Sequence, residues 1–293
     1  MIPEPFEYHL PKSLPEAAQL VSQFGADGKV LAGGHSLVPL MKLRLASPKH
    51  LIDLNGIADL SYIREEGGRI QIGAMTSHYQ LESSELLKSK CPLLPETAGE
   101  IGDAQVRNKG TIGGSLAHSD PAGDWPAAMV ALDAEILATS ARGERWIRAS
   151  EFFVEMLATA LQPDEILTAI RVPALPAHGG EAYVKLHHPA SGFAVVGVAA
   201  RVTLDEKGSI AAIGVGVTGV GPKAYRAEAV EAVLRGKSPS AKRLMEACAH
   251  AADGVDANSD LFATADYRKH LAAVYTRRAI EKAVERAGAA SGT

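Results

Sequence analysis

The sequence predicts an α+β fold: two N-terminal α/β units, then a three-stranded antiparallel sheet carrying a helix bundle. Three observations carry that expectation. Up to residue 173, short apolar strand-length runs interleave with segments whose apolar residues recur at helical spacing. Beyond residue 180, long alternating runs joined by a tight turn read as an antiparallel meander. Between the two, the Pro-, Ala- and Gly-rich stretch 173–180 reads as a linker. The expected division is therefore 1–176, itself split into parts of about 1–57 and 58–176, followed by 177–293.

In chain order, Pro3, Pro5 and Pro11 keep residues 1–12 extended. Ser13 and Glu16 form a capping-box pattern with Pro15 in the first turn, Ala17, Ala18, Leu20, Val21 and Phe24 follow at helical spacing, and Gly25 ends the helix. Val30-Leu31 is a strand leading into Gly33-Gly34. Leu37, Leu40, Met41 and Leu45 then mark one face of a helix stopped by Pro48, and 50–54 is a short buried strand, which completes a β-α-β unit. Strands at 60–65 and 69–74 flank the hairpin turn Glu66-Gly67-Gly68. Helical stretches follow at 77–81 and 92–101, a second glycine turn at Gly113-Gly114, and a helix at 124–132. Strands are expected at 135–139, 146–149 and 165–172, the last ended by Pro173. The C-terminal part offers strands 182–187, 194–204 and 210–218, with 205–208 as a hairpin turn, and helices 226–234, 240–252 and 265–286. Tyr267, Leu271, Val274, Tyr275, Ile280 and Val284 mark the face of the last helix. No internal repeat is evident, and only the Ala/Gly/Ser terminus is of low complexity.

A chain of 293 residues, 46% of them hydrophobic, can bury two or three packed units. The net charge of −4 and the lack of a basic stripe argue against nucleic acid. No segment has the unbroken apolar length of a membrane span, and the acidic, proline-containing N-terminus is unlike a signal peptide. Cys91 and Cys248 stand alone, so neither a zinc site nor an iron–sulfur cluster can be built from cysteines here. The expectation is a soluble, cytoplasmic, metal-free protein.

Function is sought at the two glycine turns. Lys29-Val30-Leu31-Ala32-Gly33-Gly34-His35-Ser36 is a strand that breaks on two glycines before a helix, a geometry that exposes several backbone N–H groups to a phosphate. Thr111-Ile112-Gly113-Gly114-Ser115 is a second stretch of that kind, with hydroxyls from Thr111 and Ser115 beside its amides. Two such bends suit a ligand with more than one phosphate, held from two sides. Neither matches a Gly-x-Gly-x-x-Gly fingerprint or a P-loop, and a plain strand-to-helix turn remains the alternative for the first. Asp120 and Asp124 could accept from sugar or ribityl hydroxyls or a ring N–H; otherwise Asp124 is a helix N-cap. His35 and His118 either touch ligand or bond the backbone. His187-His188 reads as a surface pair, and Lys185 either faces an electron-rich ring or phosphate, or is a strand-end lysine. No catalytic acid–base or nucleophile constellation is recognisable, so the chemistry belongs to the bound ligand.

Ala32-Gly-Gly-His-Ser36, together with Thr111-Ile-Gly-Gly-Ser115 and Asp124, resembles the FAD-binding medium subunits of molybdenum hydroxylases, the xanthine dehydrogenase family, and most of all those of the aerobic carbon monoxide dehydrogenase type. The resemblance runs from Phe6 to the final helix. It implies a flavoprotein fold of the vanillyl-alcohol-oxidase or PCMH type with a C-terminal domain like that of the carbon monoxide dehydrogenase flavoprotein, and non-covalent FAD. It also implies that Lys29 to Ser36 and Thr111 to Ser115 wrap the diphosphate, that Asp124 holds a ribityl or ribose hydroxyl, that Ile101 and Leu167 pack on the cofactor, and that Lys185 lies near the flavin. The implied partners are a large molybdenum-binding subunit with the molybdopterin cofactor and a small subunit with two 2Fe–2S clusters, arranged as a dimer of heterotrimers. Electrons would reach FAD from those clusters and leave to a quinone or oxygen, in the cytoplasm or peripherally at the inner face of the membrane. Three departures matter. Two isolated cysteines exclude the additional cluster of relatives that reduce aromatic acyl-CoA, Ser115 stands where Asn is common, and His187-His-Pro-Ala-Ser-Gly-Phe193 is divergent. The last leaves carbon monoxide or an N-heterocycle (xanthine-, nicotinate- or caffeine-like) as the substrate, with Phe193 either over the flavin or in the core. A self-contained flavin oxidoreductase and a ligand-free scaffold are the remaining alternatives.

Overall fold

A computed structural model describes residues 2–289; Met1 and residues 290–293 lie outside them. The first unit runs β1 (Glu7–His9), α1 (Leu14–Phe24), β2 (Gly28–Leu31), α2 (Leu37–Lys42) and β3 (His50–Asp53), giving a parallel sheet of order β1-β3-β2. The extended start is thus a strand in its own right. Ser13 caps α1 as expected, accepting from the Glu16 amide at 3.4 Å, and Gly25 closes the helix at φ 49°. The reciprocal arm is displaced by one residue, since the Glu16 carboxylate takes the Lys12 amide at 2.8 Å. The helix expected to reach Leu45 stops at Lys42. Arg44 turns to φ 59° and Leu45 is 72% exposed, so Pro48 does not end it.

The second unit continues with β4 (Ile63–Glu66), β5 (Arg69–Gly73), α3 (His78–Ser83), α4 (Glu85–Lys90), α5 (Leu93–Gly99), α6 (Ala104–Lys109), α7 (Ile112–His118) and α8 (Asp124–Ala131). It closes with β6 (Glu135–Ser140), β7 (Gly143–Arg148), α9 (Ala149–Phe152), β8 (Phe153–Glu155), β9 (Ala158–Thr159) and β10 (Ile166–Pro173). Its five-stranded antiparallel sheet has the order β4-β5-β10-β6-β7. A complete capping box lies here, Ser77 with Gln80 at the start of α3. Helices α4, α6 and α9 and the small hairpin β8–β9 were not expected from sequence: each is too short for a periodic signal. The second Gly-Gly bend is also corrected, for it does not follow a strand. Gly113 and Gly114 lie in the first turn of α7, two residues after α6 has ended.

The C-terminal part comprises β11 (Gly179–His187), β12 (Ala194–Leu204), β13 (Ile210–Thr218), β14 (Tyr225–Arg226), α10 (Glu228–Leu234), α11 (Ala241–Cys248) and α12 (Ala265–Ala289). The expected three-stranded meander gains a fourth, two-residue strand at its edge. Half of the buried residues of α12 are alanine: Ala272, Ala279, Ala283 and Ala287 are buried with Arg268, Leu271, Thr276 and Ile280, whereas Tyr267 is 45% exposed. Small residues win because the helix lies directly on β11. A Cβ at Gly180 would sit 1.9 Å from the Ala283 carbonyl oxygen.

Two devices lock this sheet to the second unit. Helix α8 is buried along its whole length, as a helix apolar on all sides should be. It presses on β13 where Gly214 and Gly216 offer no side chain: a Cβ there would meet the Ala131 and Ala127 carbonyls at 2.2 and 2.0 Å. Ionic groups join the seam on its other side. Glu96 of α5 receives Lys282 and, at 2.7 Å, Arg286 from α12. The buried Glu181 of β11 accepts the Leu93 amide at 3.0 Å, with Arg201 at 3.5 Å.

Gly180→Ala should therefore destabilise the chain by about 1–3 kcal/mol or more, because the methyl meets helix backbone that cannot rotate away. A urea midpoint indistinguishable from the parent chain would contradict this account of the α12 contact.

Candidate functional site

Strand β2 ends at the first glycine turn, and this turn touches the second. A Cβ on Gly33 would fall 2.2 Å from the Lys109 carbonyl oxygen and 2.8 Å from the Gly110 Cα. On the second stretch, a Cβ on Gly113 would run into Ala74, at 2.5 Å from its Cβ, and one on Gly114 would lie 3.3 Å from the Cβ of Ala32. Glycine is required at these points by close approach of backbone, while Gly34 also has φ 77°. Between the joined turns and the rest of the molecule lies a cavity of about 700 Å³, in the upper part of the range of about 300–1,000 Å³ common for cofactor sites.

The two turns contribute differently. Among the described residues, the amides of Gly34, His35 and Ser36 find no backbone or side-chain acceptor, so they are available to an anion. In the second stretch the amides of Ile112, Gly113, Gly114 and Ser115 are all engaged. Ile112 donates to the Thr76 carbonyl at 3.1 Å, Gly113 to that of Ala74 at 2.9 Å, and Gly114 to the Thr111 hydroxyl oxygen at 3.1 Å. The expectation of free amides beside Thr111 and Ser115 is thus overturned; what remains there is hydroxyls and a close backbone wall. Both helices that follow have seven residues or fewer, so dipoles add little to the donors themselves.

Of the residues singled out from sequence, Lys29, Val30, Ala32 to Ser36, Ile101, Thr111, Gly113, Gly114, Ser115, Asp120, Asp124 and Leu167 line the cavity. Leu31, Ile112 and Lys185 do not. Leu31 packs beneath Gly34, where a Cβ would meet it at 3.4 Å, and Ile112 belongs to the main core. Lys185 has a fully buried side chain and stands behind Asp124, its ammonium 2.9 Å from that carboxylate and 2.8 Å from the Glu100 carbonyl. Asp120 is partly committed, accepting the Ala122 amide at 2.8 Å and lying 3.8 Å from His118.

Asp124 is not the N-cap of α8, a position held by Gly123. Its carboxylate is buried at the cavity wall and accepts from the Tyr183 hydroxyl at 2.6 Å as well as from Lys185. Burial pushes the Asp124 carboxyl up, and Lys185 and Tyr183 pull it back toward the charged form; burial and the Asp124 charge drive the Tyr183 phenol well above its ordinary range. The acid therefore reaches the cavity with its orientation fixed by two donors behind it, leaving lone pairs for a hydroxyl or N–H.

Sequence reasoning missed His78. It begins α3, is buried, and lines the cavity. The Trp125 indole N–H donates to its Nδ1 at 3.1 Å, which places the imidazole proton on Nε2. That edge is held against the second stretch, since a Cβ at Gly110 would lie 2.7 Å from Nε2. A single histidine at a helix start carries no signal of such surroundings. The C-terminal sheet supplies the last wall through Ser191, Gly192 and Phe193; Phe193 is 46% exposed and lines the cavity, so it is not a core residue. His187 pairs with Glu100 at 2.7 Å, and His188 contacts the Phe262 ring.

Comparison with known proteins agrees with this geometry. Residues 4–175 match the FAD-binding domain of molybdopterin dehydrogenases, and residues 181–283 match the C-terminal domain of the carbon monoxide dehydrogenase flavoprotein. The carbon monoxide dehydrogenase medium chain of Hydrogenophaga pseudoflava is 43% identical over 97% of this chain and 98% of its own length. A 6-hydroxypseudooxynicotine dehydrogenase subunit of Paenarthrobacter nicotinovorans is 36% identical over 98% of this chain and 97% of its own. The solved structure of the Hydrogenophaga enzyme lacking the Mo-pyranopterin moiety of its molybdenum cofactor superimposes with a TM-score of 0.95, at 44% identity, over 98% of this chain and 99% of the other.

The state of His78 has a measurable consequence. Burial, with lesser contributions from His35 and Arg107, pushes its pKa down from 6.5 to about 4. The unfolded chain thus binds the extra proton between those values, so the stabilisation present above pH 6.5 is lost as pH falls to about 4, in total on the order of 3 kcal/mol. His78→Asn keeps an acceptor for Trp125 and removes the titration. Urea midpoints taken across this window should fall less steeply with acid in the variant than in the parent chain; parallel slopes would refute the assignment.

Proposed function

The chain belongs to the family of FAD-binding domains of molybdopterin dehydrogenases, and on that premise we propose that it is the medium, electron-transfer subunit of a carbon monoxide dehydrogenase-type molybdenum enzyme. Residues 1–176 would carry non-covalent FAD, and 177–293 would close the site and fix Asp124. The observation that carries the reading is the meeting of the two glycine turns over one cavity, with unpaired amides on one side and a buried carboxylate on the other. These groups fit the cofactor: anion donors at Gly34, His35 and Ser36 suit a diphosphate, Thr111 and Ser115 add hydroxyls, Asp124 suits a sugar or ribityl hydroxyl, and Ile101 and Leu167 give apolar walls. When bound, FAD supplies redox chemistry in both one- and two-electron steps. The chain's own residues bind, orient and desolvate it. Lys185 acts on it only through Asp124, and the His78 Nε2–H is a further donor on the cavity wall.

The molybdenum cofactor and the 2Fe–2S clusters belong to other subunits, a large and a small one, and the enzyme is an oxidoreductase in which this subunit takes no part in substrate chemistry. Quinone or oxygen as acceptor, a dimer of heterotrimers, and a cytoplasmic place, free or against the inner membrane face, complete the proposal. Among the described residues no helix is long and apolar enough to cross a membrane. A dehydrogenase of N-heterocycles is the second reading, favoured by the 36% identity to the 6-hydroxypseudooxynicotine dehydrogenase subunit. Dye reduction by the purified complex with carbon monoxide and not with nicotinate-like compounds would decide for the first.

The purified chain should be yellow and release FAD on acid or heat precipitation. Gly33→Ala should lower FAD affinity by roughly 10- to 100-fold, since its methyl must part the two turns at a strain of about 1–3 kcal/mol. Full flavin occupancy of that variant at limiting FAD would defeat the assignment.

A further inference from the structure

We propose that Glu7, His9 and His50 form a site for a divalent transition-metal ion of the zinc class, on the outer edge of the first sheet and separate from the cavity. The backbone puts the three on one face. Glu7 and His9 are two apart on β1, and Glu7 is the register partner of His50 on the parallel neighbour β3. Tyr8, between them, points the other way and donates to Asp53 at 2.6 Å.

The side chains converge on one point. His9 Nε2 and His50 Nδ1 are 3.2 Å apart, Glu7 Oε2 is 3.3 Å from His50 Nδ1, and it is 4.0 Å from His9 Nε2. Ligand atoms about 2.0–2.1 Å from a tetrahedral ion stand about 3.3 Å from one another, so two of the three separations already match. The third closes by rotation of Glu7, whose side chain is mostly exposed. A hydrogen bond does not account for the cluster as well. His50 Nδ1 faces an imidazole nitrogen and a carboxylate oxygen at nearly equal distances, and one proton shared between them makes two weakened bonds, whereas a cation attracts all three.

The imidazoles are held in place before any ion arrives. Phe24 stacks on His50 with ring centroids 3.7 Å apart and planes within 8°, and its ring is 4.8 Å from that of His9. Lys49, next to His50, is engaged by Asp27 at 3.0 Å. Two histidines and one carboxylate, with a fourth position open to water, suit Zn²⁺ or its neighbours and not Mg²⁺ or Ca²⁺, which take oxygen ligands. Bound there, the ion would tie the three-residue edge strand β1 to β3.

The test is isothermal titration of the full chain, stripped with chelator, using Zn²⁺ and Mg²⁺. Expected are saturable uptake of one Zn²⁺ per chain, no uptake of Mg²⁺, and Zn²⁺ affinity weaker by roughly 10-fold or more in His50→Ala and in Glu7→Gln. Circular dichroism reports whether His50→Ala has kept its fold; Glu7→Gln changes only a largely exposed group and stands on its own if it has not. Absence of saturable Zn²⁺ uptake, or an affinity unchanged by Glu7→Gln, overturns the proposal.

Discussion

The architecture depends on one contact between main chains: Gly33, at the end of the first parallel sheet, lies against the Lys109 carbonyl and Gly110. Two segments from different units can share a cavity only if neither puts a side chain at the point where they cross. The same device recurs where α8 meets β13 and where α12 meets β11, each time with glycine beneath a helix backbone. The protein is held together by close approach of its layers at a few places, and the alanine-rich helices follow from that. A larger side chain at any of these seams would hold the layers apart, and at Gly33 it would part the two turns that border the cavity.

Charge is handled in the same economical way. Asp124, Lys185 and Tyr183 make a buried cluster in which each polar group has a partner, so an acid can stand at the cavity wall without the penalty of an isolated buried charge. Glu181 and Glu96 do the corresponding work between α5, β11 and α12, where removal of one partner would strand the other. Desolvation offsets much of the attraction within these pairs, so their net contribution to stability is small.

Much of this was legible in the chain. The long strands β12 and β13 were placed to the residue because uninterrupted β-branched and apolar runs end at polar turns, and the glycine motifs located the cavity. What was not legible has a physical reason in each case. Elements of six residues or fewer, such as α4 and α6, carry less than two turns of pattern. Leu45 fits a helical period, yet Arg44 leaves the helix with a positive φ. The free amides expected at Gly113 were taken by Ala74 and Thr76, partners distant enough that no local spacing announces them. Lys185 was expected near the flavin, and its side chain is buried behind Asp124, off the cavity wall, because a sequence gives the strand and not the depth of the side chain. His78 and the convergence of Glu7, His9 and His50 are products of tertiary packing alone.

The reach of Ser191, Gly192 and Phe193 to the cavity has a consequence for biosynthesis. These residues are made after every other wall of the cleft, at the junction of β11 and β12. A chain ending at β10 would lack that wall and both donors, Tyr183 and Lys185, that fix Asp124. Completion of the cavity is therefore tied to formation of the final sheet, which supplies both its last wall and the donors that orient Asp124.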